Sequence, residues 1–299
     1  MTSLVNGRAW TETLAQREPL APPRPLHSMH VLTKHDIDYP ALLNRIGTSH
    51  TLTAGHHGEP KVSGESNNCW IRGVWLTSLT QCQNPEELRV TLTQALHGKM
   101  GDRFETYAKS QGRAQSAAMI DEVVGLVERF QGDGLEGIWR YGKIVPASSE
   151  KSVVKLTQLL LLKNLDRTVK HYQANPDPKH WLALKPSPDE WVTKKMGEIA
   201  AVTVGDAQGF SDYMACIFEV LGAEAFILNV NEETLEVHAN VGTALYEVIT
   251  NDRVSNGQLT ESLYRNAFEN RRIILDHEGT FNGGHVDARL PNTFLTRGR

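Results

Sequence analysis

From about residue 63 onward, signals for helices come first along the chain and signals for strands come last. Residues 84–87 (NPEE) and 187–190 (SPDE) each combine a capping residue, a proline at the first helical position and early acids, which is typical of helix starts. Ser149 is expected to cap a long helix that runs toward residue 172. The predicted strands are residues 225–230, 235–239, 244–250, 272–276 and 285–290. Helices followed by a small, mostly antiparallel sheet predict an α+β domain.

The first 62 residues differ in composition from the rest. Residues 18–25 (EPLAPPRP) exclude a helix or an interior strand. Six of the twelve histidines lie in this segment, at positions 27, 30, 35, 50, 56 and 57, but their spacing matches no known metal-ligand pattern. The sequence therefore predicts a flexible or weakly ordered segment over residues 1–62, with a short helix near residues 39–46. A single domain is predicted over residues 63–299.

Composition and charge exclude several classes of function. The net charge is -4 and no long basic run occurs, so the chain lacks the charge pattern of a nucleic-acid-binding protein. The longest apolar runs, residues 159–162 and 225–230, are too short to span a bilayer, and no Sec-type signal peptide is expected. Three cysteines without a CxxC pair favour free thiols in a reducing compartment. We expect no metal and no organic cofactor.

One cysteine lies at a sharp change in sequence character. In residues 64–75 (GESNNCWIRGVW), a polar, turn-prone stretch ends and an apolar, helix-compatible stretch begins at Cys69. A thiol at a helix N-terminus meets unpaired backbone N–H groups and the positive end of the helix dipole, and both favour the thiolate. Cys69 is therefore the candidate nucleophile. Cys82 and Cys216 are expected to be small buried apolar residues.

A cysteine nucleophile needs a base within hydrogen-bond reach, and the base needs an orienting group. His238 and His285 are the candidates on predicted strands. His285 is preferred because two glycines precede it and allow a sharp turn. Asp287 lies two residues on, so it shares the strand face of His285 and can accept a hydrogen bond from its ring. Residues 277–283 are predicted to form a glycine-containing loop before this last strand.

Three stretches together resemble the ovarian-tumour (OTU) family of papain-like cysteine proteases, which cleave ubiquitin from proteins. Residues 68–72 (NCWIR) resemble the start of the family's catalytic helix. Residues 209–222 resemble the helix that precedes its central strand, and residues 285–288 (HVDA) resemble its final hairpin. Ser66 and Asn67 stand where the family usually has an Asp-Gly pair. The helical stretch at about residues 100–200 is expected to be an insertion or a lineage-specific ubiquitin-binding region.

The resemblance implies a papain-like fold and a deubiquitinase that hydrolyses isopeptide bonds. It implies Cys69, His285 and Asp287 as the catalytic triad, and an oxyanion loop formed by Ser66, Asn67 and Asn68. Ubiquitin or polyubiquitin is the expected partner. The residues leave open another thiol hydrolase, such as a glutamine deamidase, and a catalytically weak ubiquitin-binding protein. A cytosolic site of action is expected, and a bacterial effector secreted into host cells fits these features.

Overall fold

The computed structural model describes residues 27–52, 69–140, 147–176, 182–183, 185, 187–201, 207–251, 253–280 and 283–292. These residues confirm the α+β class, with helices on both faces of one sheet. The helices are α1 (Tyr39–Ser49), α2 (Cys69–Gln81), α3 (Pro85–Leu96), α4 (Asp102–Ser110), α5 (Ser116–Arg140), α6 (Ala147–Ala174), α7 (Pro188–Ala201), α8 (Ala207–Leu221), α9 (Ala244–Ile249) and α10 (Asn256–Glu269). The strands are β1 (His27–Leu32), β2 (His50–Leu52), β3 (Ala225–Asn229), β4 (Thr234–Asn240), β5 (Ile274–Thr280) and β6 (Gly283–Pro291).

The sheet is mixed but mostly antiparallel, as the sequence predicted. Its strand order is β1-β4-β3-β5-β6-β2. The central pair, β3 and β5, is parallel, and the other four pairs are antiparallel. Side chains alternate between the two faces along each strand. Leu275 of β5 therefore belongs to the apolar cluster on one face, and its neighbour Ile274 to the cluster on the other.

Helix α2 is the central helix of the larger apolar cluster. It is buried on nearly all sides, which matches its apolar sequence and is typical of a helix inside a core. It contacts β6 on one side and α5, α6 and α8 on the others. The indole Nε1 of Trp75 donates a 2.7 Å hydrogen bond to Thr157 Oγ1 of α6, which satisfies a buried polar group.

The opposite face of the sheet carries a smaller apolar cluster. Helices α1, α9 and α10 supply its buried residues together with β1, β3, β4 and β5. Helix α1 contacts α10, and the carboxylate of Asp38 caps the start of α1 by accepting from Ala41 N at 3.0 Å. The helix predicted near residues 39–46 is thus confirmed.

The prediction of a weakly ordered segment over residues 1–62 is wrong for residues 27–52. Strand β1 pairs with β4 and strand β2 pairs with β6, so this part of the chain supplies both edges of the sheet. The polar, histidine-rich sequence does not resemble a buried strand. Edge strands need only partial burial, and the partner strand supplies the backbone hydrogen bonds whatever the side chains are. Residues 1–26 and 53–62 lie outside the described part of the chain.

Two strand predictions need correction. Residues 244–249 form helix α9, which begins after Thr243, whose hydroxyl accepts from Tyr246 N at 3.3 Å. A short apolar run does not distinguish a strand from a helix by periodicity, and the cap decides this case. Strand β5 continues to Thr280, so four residues of the predicted loop, beginning with His277, belong to the sheet.

The helix starts were predicted with mixed success. Asn84 caps α3 by accepting from Glu86 N and Glu87 N at 3.0 and 3.3 Å, as predicted. Helix α7 begins at Pro188, also as predicted. Helix α6 begins at Ala147, two residues before the expected cap, so the prediction for Ser149 is wrong. Helices α4 to α7, which lie in the predicted insertion, contribute buried residues to the same cluster as α2.

Candidate active site

Cys69 is the first residue of α2 and is buried, with 5% of its surface exposed. The predicted helix start at this cysteine is confirmed. The first turn of a helix has backbone N–H groups without helical partners, and these groups can stabilise a developing oxyanion. The residues predicted for the oxyanion loop, Ser66, Asn67 and Asn68, lie outside the described residues.

The far end of α2 is tied to the beginning of the two central strands. Gln81 Nε2 donates to Glu224 O at 2.7 Å, and Glu224 N donates to Gln81 Oε1 at 3.1 Å. Arg272 Nη1 donates to the same Gln81 oxygen at 2.9 Å. Glu224 directly precedes β3, and Arg272 lies two residues before β5. Helix α2 therefore runs antiparallel to both strands. Its first residue, Cys69, lies toward the carboxyl ends of β3 and β5.

The contact between Gly73 and the sheet indicates how far along the strands Cys69 lies. A Cβ atom placed on Gly73 would lie 3.1 Å from both Leu275 Cδ2 and Val286 Cγ1. From Gln81 to Gly73 the helix rises about 12 Å, and from Arg272 to Leu275 the strand rises about 10 Å. The helix axis thus follows the strand direction. Cys69 lies about 6 Å beyond Gly73, and residue 277 lies about 7 Å beyond Leu275.

His277 lies at that level and on the sheet face that α2 covers. It is two residues from Leu275 on β5 and directly opposite Val286 on β6, and both of these residues contact Gly73. Its Nδ1 atom is 2.9 Å from Oδ1 of Asn229, its register partner on β3. Burial lowers the pKa of the His277 imidazole, whereas the charges of Glu236 and Glu232 oppose that shift.

The two other predicted triad members occupy a different position. The backbone of His285 pairs with Glu278, and Asp287 pairs with Asp276, so both lie at register positions of the opposite sheet face. The carboxylate of Asp276 accepts from Arg289 Nε at 2.7 and 2.9 Å. The charge of Asp287 contributes, after burial itself, to raising the pKa of Asp276. The His285 side chain is outside the described part of the structure.

The structure does not bring Asp287 to the face on which α2 packs. Val286, which separates His285 from Asp287, is the residue of β6 that contacts Gly73. Alternation along β6 then directs Asp287 toward the cluster formed with α1 and α10. The assignment of His285 and Asp287 to the site of Cys69 stays a prediction.

His238, the other strand histidine considered from the sequence, is fully buried. Its Nδ1 atom is 3.1 Å from Nε2 of His27, and its Nε2 atom is 2.5 Å from Oε1 of Glu236. Both ring nitrogens are therefore occupied inside the protein. This arrangement joins β1 to β4 and leaves His238 no free nitrogen for a reacting thiol.

Sequence reasoning missed His277 and Asn229 because residues 277–283 were assigned to a loop. Residues 273–275 are apolar and residues 276–278 are polar, so no period-two alternation signals that the strand continues past residue 276. Asn229 is the last residue of β3, next to a turn, where an asparagine is ordinarily a turn residue. Its pairing with β5 becomes visible only in the sheet.

The described residues contain no group of three or more His, Cys, Asp or Glu side chains arranged to hold a metal ion. Nor does any helix among them have the length and apolar character that crossing a bilayer requires. No protein-family model, curated protein or solved structure matches this chain. The resemblance to the OTU family therefore depends on the quoted sequence stretches alone.

Proposed function

We propose that this protein is a cysteine-dependent deubiquitinase, in which the thiol of Cys69 attacks isopeptide bonds of ubiquitin conjugates. One observation carries the proposal. Cys69 begins a buried helix that packs along a sheet and points toward the carboxyl ends of its central strands, beside the β5–β6 hairpin with its histidines. Nucleophilic cysteine catalysis requires a base within hydrogen-bond reach of the thiol, and a helix-terminal thiol beside a histidine-bearing sheet supports that arrangement.

The chemistry follows from these groups. The Cys69 thiolate bonds to the carbonyl carbon of the terminal ubiquitin residue, and the carbonyl oxygen becomes an oxyanion that the N–H groups at the start of α2 stabilise. A histidine of the hairpin takes the thiol proton and gives it to the lysine amine as the carbon–nitrogen bond breaks. Water then hydrolyses the thioester, which releases ubiquitin with a free carboxylate and restores the thiol. The reaction needs no metal.

Ubiquitin as the substrate is supported by the sequence resemblance and by the order of elements. The stretch resembling the family's pre-strand helix is α8 (Ala207–Leu221), and it leads directly into β3 (Ala225–Asn229). Helix α2 packs against both α8 and the sheet, which fits a papain-like architecture. We further propose that the protein acts in the cytosol of a host cell as a secreted effector.

Hydrolysis assays test the proposal. Purified protein is incubated with di-ubiquitin of each linkage and with ubiquitin carrying a fluorogenic C-terminal amide. We expect turnover by the wild type and by Cys82→Ser, a matched control at a half-buried thiol, and none by Cys69→Ala. Ubiquitin binding without turnover by the wild type would make the protein a binding module. Conversion of a glutamine to glutamate in a co-incubated protein, without cleavage, would make it a deamidase. Either result contradicts the proposal.

A further inference from the structure

We propose that His277, oriented by Asn229, is the base that deprotonates Cys69. This inference rests on the proposed function, because it names the proton acceptor of that same site. It names a different histidine from His285, the one chosen from the sequence, because His277 lies on the sheet face that α2 covers.

Two contacts of Gly73 place His277 on the side of the nucleophile. Leu275, two residues earlier on β5, contacts Gly73 of α2, and so does Val286, the direct partner of His277 on β6. Residues two apart on a strand, and residues directly opposite on paired strands, share one face of a sheet. Both relationships independently direct His277 toward α2.

The positions of Cys69 and His277 along the direction of the strands agree with this placement. Cys69 lies one turn of helix past Gly73, and His277 lies two residues past Leu275, in the same direction. Cys69 lies about 6 Å from Gly73 along the helix, and His277 lies about 7 Å from Leu275 along the strand. The thiol and the imidazole therefore lie at matching positions on facing elements. His277 is also only partly buried.

The contact with Asn229 selects the tautomer that a base needs. An amide oxygen only accepts hydrogen bonds, so the Nδ1 atom of His277 carries the proton that Asn229 Oδ1 receives at 2.9 Å. The lone pair of the neutral ring is then on Nε2. That nitrogen takes the proton of the Cys69 thiol and later gives it to the leaving amine, while Nδ1–H keeps its bond to Asn229.

The surroundings favour a ring that is neutral at rest and charged during the reaction. Burial lowers the pKa of His277, which favours a neutral ring near neutral pH. Glu236 on β4 and Glu232 in the β3–β4 turn are the charged groups that oppose this shift, and they stabilise the imidazolium once it forms. On β6 the facing residue is the apolar Val286.

Two readouts test the assignment, and one of them does not involve ubiquitin. The first is the pH profile of kcat/KM on ubiquitin carrying a fluorogenic amide. The second is the rate at which iodoacetamide alkylates Cys69, followed by peptide mass spectrometry. The variants are His277→Ala, Asn229→Ala, Asn229→Asp and His285→Ala, with His35→Ala as a control at an exposed histidine. Circular dichroism verifies that each variant is folded.

We expect His277→Ala to lower kcat by about 10²–10⁴-fold and to slow alkylation of Cys69 near neutral pH, while His35→Ala changes neither. Asn229→Asp should retain turnover and move the acidic limb of the profile to higher pH, since a carboxylate favours the imidazolium. Asn229→Ala should lose more turnover than Asn229→Asp.

The outcomes separate this inference from the proposed function. If no ubiquitin substrate is cleaved but His277→Ala still slows alkylation of Cys69, the substrate is wrong and the Cys69–His277 pair stands. If His277→Ala leaves both readouts at the wild-type level, or if His285→Ala alone abolishes them, the assignment of His277 is overturned.

Discussion

Gly73 of α2 and Val286 of β6 touch across the interface between helix and sheet. A Cβ atom on the glycine would lie 3.1 Å from Val286 Cγ1, closer than side chains normally approach. The missing side chain allows α2 to lie directly on the hairpin, one turn away from Cys69. This close approach sets the distance between the nucleophile and the strands that carry the histidines.

Enlarging Gly73 should separate the helix from the sheet. We expect Gly73→Val to lower the free energy of unfolding by about 1–3 kcal/mol, because the added atoms meet Leu275 and Val286 in a packed core. Turnover should fall as well, since α2 carries Cys69 away from the sheet. Urea denaturation and steady-state hydrolysis measure the two effects.

Gly125 supplies the matched control, because it also lies inside a helix but has open space around it. Gly125→Ala should raise the free energy of unfolding by roughly 0.5–1 kcal/mol through the unfolded state. If Gly73→Val proved as harmless as Gly125→Ala, α2 would not be packed on the hairpin as described.

The ion pair between Arg272 and Glu224 should be essential to the position of α2. The two side chains are 10% and 9% exposed. Arg272 Nη1 donates to Gln81 Oε1 at the end of α2, and the backbone N–H of Glu224 donates to the same oxygen. Arg272→Met leaves Glu224 as a buried, unpaired charge, and we expect a loss of about 3–5 kcal/mol in the free energy of unfolding.

A double variant checks this mechanism. Arg272→Met combined with Glu224→Leu removes both charges, so it should recover much of the stability that Arg272→Met loses. Chemical denaturation of the wild type, both single variants and the double variant gives the coupling energy. Strictly additive losses would show that the pair contributes nothing as a pair.

Buried His50 and half-buried His27 should make the protein less stable in acid. His50 donates through Nε2 to Arg272 O at 3.1 Å and accepts at Nδ1 from Ser49 Oγ at 2.8 Å, and burial lowers its pKa from 6.5 to about 4. Burial and the neighbouring His238 lower the pKa of His27 to about 4 as well. Both folded-state values lie below the unfolded value.

The sign of the effect follows from proton binding. Between pH 6.5 and about 4 the unfolded chain binds more protons than the folded one at these sites, so stability is complete above this window and is lost as the pH falls through it. A shift of this size corresponds to on the order of 3 kcal/mol for one residue. His50→Gln should flatten the pH dependence of urea unfolding, whereas His35→Gln, at an exposed site, should leave its slope as in the wild type.

The cap of α3 offers a local test. Asn84→Ala removes the side-chain oxygen that accepts from Glu86 N and Glu87 N, and should cost about 1 kcal/mol. Asn84→Asp keeps the acceptor and should stay near the wild-type value. Thermal unfolding with equal losses for both variants would show that the capping bonds do not contribute.

The sequence predicted those features of the fold that depend on local chemistry. Caps such as Asn84 and a proline at the first position identify a helix start wherever they lie in the chain. Tertiary pairing decided the elements that were missed. Strand β1, for example, has no apolar alternation of its own. It forms because β4 provides the partner for its backbone hydrogen bonds.

The candidate site could also be predicted only where it depends on local sequence. Cys69 could be identified because the sequence changes there from a polar stretch to an apolar, helix-compatible stretch. The choice among histidines depended on which sheet face each one occupies, and that is set by the register of the β5–β6 hairpin. A change of register by one residue exchanges the two faces, so His277 and His285 could not be ranked without the pairing of strands.

The central claim is that Cys69 is a nucleophile for ubiquitin conjugates, and covalent labelling tests it most directly. The protein is incubated with ubiquitin that carries an electrophile in place of its C-terminal carboxylate, and the product is mapped by peptide mass spectrometry. The account predicts one adduct, joined to the Cys69 sulfur and missing in Cys69→Ala. An unlabelled wild type, or labelling that persists in Cys69→Ala, would contradict it.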